Sequence, residues 1–314
     1  MRKLNPTLFV LCAAALIGIG FGVDNEYYLG VATLMMINAL NTAAFNVLLG
    51  YGGVISMGQA AFYGIGAYVA AVLSVNYGVP PAVTLLIAPA MAFVVAWIVG
   101  YPVLKLHGHY LAMATLGFGM IVYIFMNEFS GITGGPSGFM GIGNLSFLGF
   151  ELATEKSFYI FMSTFFLICV LLYEVFDKSF LHYKLKFIKN SESACRSYGI
   201  NVTRTKLMVF ASVAAITALN GVLYTYYTHF ISPVSFSFKY SISLVCMATV
   251  GGLGYISGGI VGAVFLGFIP EVFATFEDFE MIIYGGLLAV VIMFFPGGIA
   301  GTLKKLVRKN AQNK

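Results

Sequence analysis

The sequence predicts an all-α, polytopic transmembrane helical bundle, and three observations carry that reading. No charged residue occurs from position 27 to position 104, a stretch several times the roughly 20 residues that one helix needs to cross the hydrocarbon. Charged residues make up only 9% of the chain and hydrophobic ones 60%, whereas a soluble domain carries about a quarter charged residues. Apolar runs such as 91–99 do not alternate with polar residues, so they read as helices and not as strands of a membrane barrel.

Taken in order, charge-free runs between polar or Gly/Pro breaks predict segments at 7–23, 29–49, 53–75, 82–104, 109–128, 158–175, 207–228, 240–256, 258–275 and 281–301. That is about ten hydrophobic segments and eight to ten spans, because the glycine breaks at 50–53 and 251–259 also suit short or re-entrant helices. The first segment follows Met1-Arg2-Lys3 and shows no small-x-small site ahead of a soluble domain, so it is expected to be an uncleaved span. With the N-terminus in the cytoplasm, every one of the 17 Lys and Arg except Lys156 and Lys239 falls on the cytoplasmic side. This is the positive-inside asymmetry, and it puts both termini in the cytoplasm. The outer segments are then 24–26, 129–157 and 277–280. The chain reads as one transmembrane domain, 1–314, containing a cytosolic segment at 177–206 and a basic cytosolic tail at 302–314.

Several functions are excluded. No Gly-x-x-x-x-Gly-Lys-Ser/Thr occurs, so nothing here cradles ATP phosphates as a P-loop does. No catalytic constellation is visible and no ionisable group lies at mid-span; Glu128, Glu174 and Glu271 sit near predicted ends. The chain is therefore read as a non-enzyme with no cofactor and no nucleic-acid partner. Cys12, Cys169, Cys195 and Cys246 are scattered without ligand spacing, so neither a metal site nor a disulfide is expected. His107 and His109 flank an inner turn and read as interfacial. Asn38 and Asn41, near the middle of the second span, must face protein, since a bare amide in lipid costs several kcal/mol.

The 177–206 segment holds seven Lys and Arg against Asp177 and Glu192. Within it Asn190 suits an N-cap and Gly199 a C-cap. The helix between them carries Ala194, Cys195 and Tyr198 on one face and a Glu192–Arg196 i,i+4 pair on another. It fits a docking knob; it equally fits a solvated loop whose lysines meet anionic lipid. Asn46, Ser56 and Gln59 flank the first glycine break. They read either as the wall of a translocation path or as polar glue between helices. A weak internal echo at an offset of 201 aligns Gly50, Gly53, Ser56 and Gly58 with Gly251, Gly254, Ser257 and Gly259. It adds Ser257 to the candidate path.

Stretches 46–68 (NVLLGYGGVISMGQAAFYGIGAY), 106–119 (LHGHYLAMATLGFG), 133–138, 192–206 (ESACRSYGINVTRTK), 230–238 and 250–262 together carry a family resemblance. The chain resembles the inner-membrane, M-type permease subunits of branched-chain amino-acid ABC importers. The resemblance implies a multi-pass protein of the bacterial inner membrane that forms the translocation path and has no ATPase activity of its own. It implies two cytosolic ABC ATPases, a second permease subunit that is homologous or identical, and an extracytoplasmic substrate-binding protein as partners. It also casts Glu192, Ser193, Ala194, Cys195, Arg196 and Gly199 as the ATPase-coupling element, with the acidic residue one position earlier than the family's Glu-Ala-Ala-x-x-x-Gly pattern. Gln59 stands where many relatives have His. Met120 and Tyr123 stand where many have an acidic and a basic residue. Urea and short amides therefore stay open beside branched-chain amino acids. A stand-alone secondary carrier or channel for a small neutral solute is the competing reading.

Overall fold

The computed structural model describes residues 7–22, 25–147 and 150–272, together with 285, 286, 293, 298, 299, 301 and 302. In chain order the helices are α1 (Thr7–Gly22), α2 (Glu26–Asn46), α3 (Gln59–Tyr77), α4 (Pro81–Val103), α5 (His109–Glu128), α6 (Ser130–Thr133), α7 (Glu155–Asp177), α8 (Phe180–Asn190), α9 (Glu192–Ser197), α10 (Val202–Thr228), α11 (Phe238–Gly251) and α12 (Ile256–Val272). Six of the described helices are long and apolar enough to cross a membrane: α2 with its extension to Tyr51, then α3, α4, α5, α7 and α10. The first, eighth and ninth predicted segments are also helical, but α1, α11 and α12 run for only 16, 14 and 17 residues. Segment 281–301 and the tail 302–314 lie, apart from the isolated positions named, outside the described residues.

Two expectations are corrected. The third segment starts not at 53 but at Gln59, because the chain leaves the helix at Gly52 and turns through Gly53, whose φ of 64° suits glycine alone. The 177–206 segment is not an open loop with one helix but two helices, α8 and α9, leading directly into α10. The outer segment 129–157 carries α6, a 3₁₀ turn over Gly135–Ser137 and a short antiparallel pair of strands, β1 (Ser146–Phe147) and β2 (Phe150–Glu151).

The bundle is assembled around α10 by small residues. Thr84, Ala88, Ala92, Ala96 and Gly100 recur every four residues on α4 and are all buried. Gly100 faces Leu207 and Phe210, and the Thr84 and Tyr226 hydroxyls share a hydrogen bond of 2.8 Å. On the other side Gly66 lies against the Ala218 carbonyl and Gly221 against the Tyr63 carbonyl, so α3 and α10 touch backbone to backbone. Between helices in lipid, close approach replaces the missing hydrophobic drive. Further contacts sort the connections by end. At one end Phe139 bridges Ile231, and His229 Nδ1 lies 3.1 Å from the Ile142 carbonyl. At the other, His107 approaches Glu192 at 3.8 Å, and Lys189 reaches Gly50.

Candidate functional site

The site is built from two interrupted helices. The final turn of α2 widens into a π-helical turn over Val47–Tyr51, a form that recurs at functional sites because it frees backbone groups from the regular ladder. α11 ends at Gly251, and α12 does not begin until Ile256. The two breaks meet. Asn46, fully buried, donates from Nδ2 to the carbonyls of Gly252 at 3.1 Å and Tyr255 at 2.8 Å, while its Oδ1 accepts from the Gly254 amide at 3.0 Å. One side chain thus bonds three backbone groups at the interruption, although the Tyr255 carbonyl also accepts from the Gly258 amide at 3.0 Å. Gly50 fits here because a Cβ would collide with the Gly254 backbone, and Gly298 packs as closely on Gly252. The aligned glycines of the internal echo, Gly53 and Gly254, share a left-handed backbone, at φ 64° and 78°.

The remaining path candidates divide. Ser257 is half-buried in the first turn of α12, beside the junction. Ser56 and Gln59, each 1% exposed, sit in and just after the connector that climbs from the break into the bundle. That connector is held by the Met57 amide donating to Thr115 Oγ1 at 2.9 Å and the Ala60 amide donating to Ser241 Oγ at 3.0 Å. Ser56 Oγ accepts from the Gly58 amide at 3.4 Å, and Gln59 Oε1 accepts from Thr217 at 3.4 Å.

Beneath the first break lies α8, which sequence reasoning missed although Leu181, Leu185 and Ile188 carry a helical apolar period. Ser179 caps it, accepting from the His182 amide at 3.3 Å. Lys189 donates from Nζ to the Gly50 carbonyl at 2.7 Å, and its stem lies 3.1 Å from where a Cβ on Gly53 would stand. Tyr51 donates to Asp177 Oδ1 at 3.2 Å, and its ring meets His182 edge-on at 4.6 Å between centroids. His182 is buried, with Nδ1 3.2 Å from Asp177. Burial, and then the nearby Lys186 ammonium, lower its pKa against the opposing pull of Asp177.

α9 departs from expectation at its start. Its N-cap is Ser191, whose Oγ accepts from the Ala194 amide at 3.3 Å, while Asn190 closes α8 instead. Its end is as expected: Gly199, at φ 75°, donates to the Arg196 carbonyl at 3.0 Å, and Ile200 donates back to Cys195 at 3.0 Å. That pair of bonds is a Schellman motif. Glu192 is the hub of an ionic cluster: Lys206 bonds to it directly, Arg196 stands at 3.7 Å and His107 at 3.8 Å. Partial burial pushes its carboxyl up, but Lys206, His107 and Arg196 outweigh this and hold its pKa below the ordinary value. Cys195 turns inward among Ile188, Ile200 and Val202, so the expected apolar stripe does not all face outward. Ser193, Arg196, Ser197, Tyr198 and Gly199 are the exposed ones, with Tyr198 at 77%.

Against known proteins, the family profile described as "Branched-chain amino acid transport system / permease component" matches residues 27–295. The chain is 33% identical to the high-affinity branched-chain amino acid transport system permease protein LivM of Escherichia coli (strain K12), covering 90% of this chain and 72% of that one. Against the same-named protein of Salmonella typhimurium it is 32% identical over the same shares. It is 27% identical to the probable branched-chain amino acid transport permease protein LivH of Methanocaldococcus jannaschii, covering 80% of this chain and 84% of that one. No solved structure matches.

Proposed function

The chain belongs to the family of permease components of branched-chain amino acid transport systems, and on that premise we propose that it forms the path by which branched-chain amino acids, or closely related small solutes, enter the cell through an ATP-driven importer. It is a multi-pass membrane protein. In this reading it makes eight to ten passes of the bacterial inner membrane with both termini in the cytoplasm, and residues 1–314 act as one permease domain with a basic tail at 302–314. Two cytosolic ATPases supply the energy. A second permease, identical or homologous, completes the pathway, and an extracytoplasmic binding protein delivers the solute.

Segment 177–206 is the coupling element. Glu192, Ser193, Ala194, Cys195, Arg196 and Gly199 form the helix that meets the ATPase, and Asn46, Ser56, Gln59 and Ser257 belong to the path. One observation supports this assignment above the others: Lys189, at the end of α8, is bonded to the carbonyl of Gly50, where the two interrupted helices join. A displacement of α9 by nucleotide-driven movement of the ATPase has a short physical route to the junction, through α8. The glycines there offer little steric resistance to sliding.

The test is uptake of radiolabelled leucine and of urea into cells carrying or lacking this chain, with co-purification of the ATPase. Leucine uptake that depends on the chain, with the ATPase retained, is the expected outcome. Urea uptake in its place would move the substrate to short amides, in keeping with Gln59, Met120 and Tyr123. Solute movement by the chain alone, without ATP, would mean a stand-alone carrier or channel.

A further inference from the structure

We infer that a second group of residues, Asn38, Asn41, Asn220 and Tyr240, forms with Gln59 a hydrophilic wall of the path above the glycine junction. It would receive a small solute of no net charge that offers both hydrogen-bond donors and acceptors. The inference rests on the permease reading and extends it to residues outside the junction.

Four helices converge there. Tyr240 of α11 donates from its hydroxyl to Asn38 Oδ1 at 3.0 Å and accepts from Asn41 Nδ2 at 2.7 Å. Asn220 of α10 donates from Nδ2 to Asn41 Oδ1 at 2.7 Å. One turn back on α10, Thr217 bonds to Gln59 of α3. Tyr63 of α3 stacks on Tyr240 at 4.8 Å between centroids and 13° between planes. Polar side chains from α2, α10 and α11 therefore form one hydrogen-bonded chain in an otherwise apolar core, and the separate Thr217–Gln59 pair lies one turn of α10 from its Asn220 end.

Helix-to-helix glue would account for both groups if their buried polar atoms were all met. They are not. Asn220 Oδ1 and Gln59 Nε2 are buried and have no hydrogen-bond partner, on residues each 1% exposed. An unmet buried polar atom costs about 1–3 kcal/mol, a cost that water or a solute reaching these two atoms removes. At the other end Asn38, midway along the helix from Glu26 to Tyr51, and Tyr240 are only half-buried. An amide left open at that depth faces a water-filled space or another protein, not lipid. One free acceptor, one free donor and no ionisable group apart from tyrosine hydroxyls match a neutral or zwitterionic solute and select against a net charge.

The experiment is thiol labelling in membranes containing the assembled transporter, with Cys12, Cys169, Cys195 and Cys246 first replaced by Ala. Single cysteines at Asn38 and Asn220 are compared with controls at Leu40 and Val222, which lie on the same helices, buried among apolar side chains. A membrane-impermeant thiosulfonate should modify the first pair, faster under ATP turnover, and leave the controls unreacted. If positions 38 and 220 stay as silent as 40 and 222, the chain is interhelical glue and the inference is wrong. Labelling assumes no particular solute, so the wall stands or falls on its own. Protection by leucine, by urea or by neither reports separately on the proposed substrate. Asn220→Leu gives a second readout. A path role raises the KM for uptake at normal membrane level, whereas glue lowers the membrane level and leaves KM unchanged.

Discussion

Lys189 shows what one side chain adds to this architecture. Its ammonium ends on the Gly50 carbonyl and its stem lies along Gly53, so it fastens the amphipathic helix α8 to the break in α2. Lys189→Met keeps the stem and removes the donor. Hydrogen bonds to charged groups contribute about 1.5–3 kcal/mol when buried, and this one, at an exposed lysine, is worth less. Membrane level should hold while uptake per ATP hydrolysed falls, and Lys189→Arg should recover part of it; reconstituted vesicles measure both. Gly50→Ala should be harsher, since its Cβ strikes the Gly254 backbone and the Asn46 amide together. It should fail to reach normal membrane levels by immunoblot. Neither contact was legible in the sequence in the same degree. The glycine break announced itself locally. Lys189 is one of seven basic residues in its segment, and its partner lies 139 positions away, a relation that no local pattern encodes.

At the scale of elements, α9 was half legible. Its C-terminus was readable because the Schellman motif is local and requires a residue tolerant of positive φ. Its N-terminus was misplaced by one residue because Asn190 and Ser191 are both good caps, and the choice fell to the unrecognised end of α8. Gly199→Val tests the element. No atom lies within 4 Å of a Cβ at that position, so the cost is backbone strain alone, about 1–2 kcal/mol for a left-handed non-glycine residue. Insertion should be normal while ATPase co-purification and uptake fall together; wild-type values for both would reduce α9 to a linker. α8 has its own sensitivity. The pKa of His182 is lower in the fold than outside it, so the packing it supports is complete above its ordinary pKa of about 6.5. That packing weakens as pH falls through the lower folded value. Acidifying the cytoplasmic face should therefore slow uptake, and His182→Gln should flatten that part of the pH profile; flow dialysis across vesicles of set internal pH gives the curve.

For the whole molecule, the proposed sidedness rests on one source, charge, and a second source, the contacts, shows only which segments share an end. In the proposed orientation the charge asymmetry leaves only Lys156 and Lys239 outside, a pattern readable without coordinates because insertion responds to charge near span ends and not to tertiary contacts. The contacts then sort the same segments by end: His107 with Glu192 and Lys189 with Gly50 at one, Phe139 with Ile231 and His229 with Ile142 at the other. How the short helices pair was not legible, since α11 and α12 are set by an amide on α2 that closes the gap between them. Both sources require Asn190 and the exposed Met140 to lie on opposite faces of the membrane. In a chain freed of its native cysteines, Asn190→Cys should react with an impermeant maleimide only in inside-out vesicles, and Met140→Cys only in intact spheroplasts. Asn190→Cys reacting from outside would reverse the topology. It would also separate α9 from any cytosolic ATPase, and the coupling route through Lys189 would fall with it.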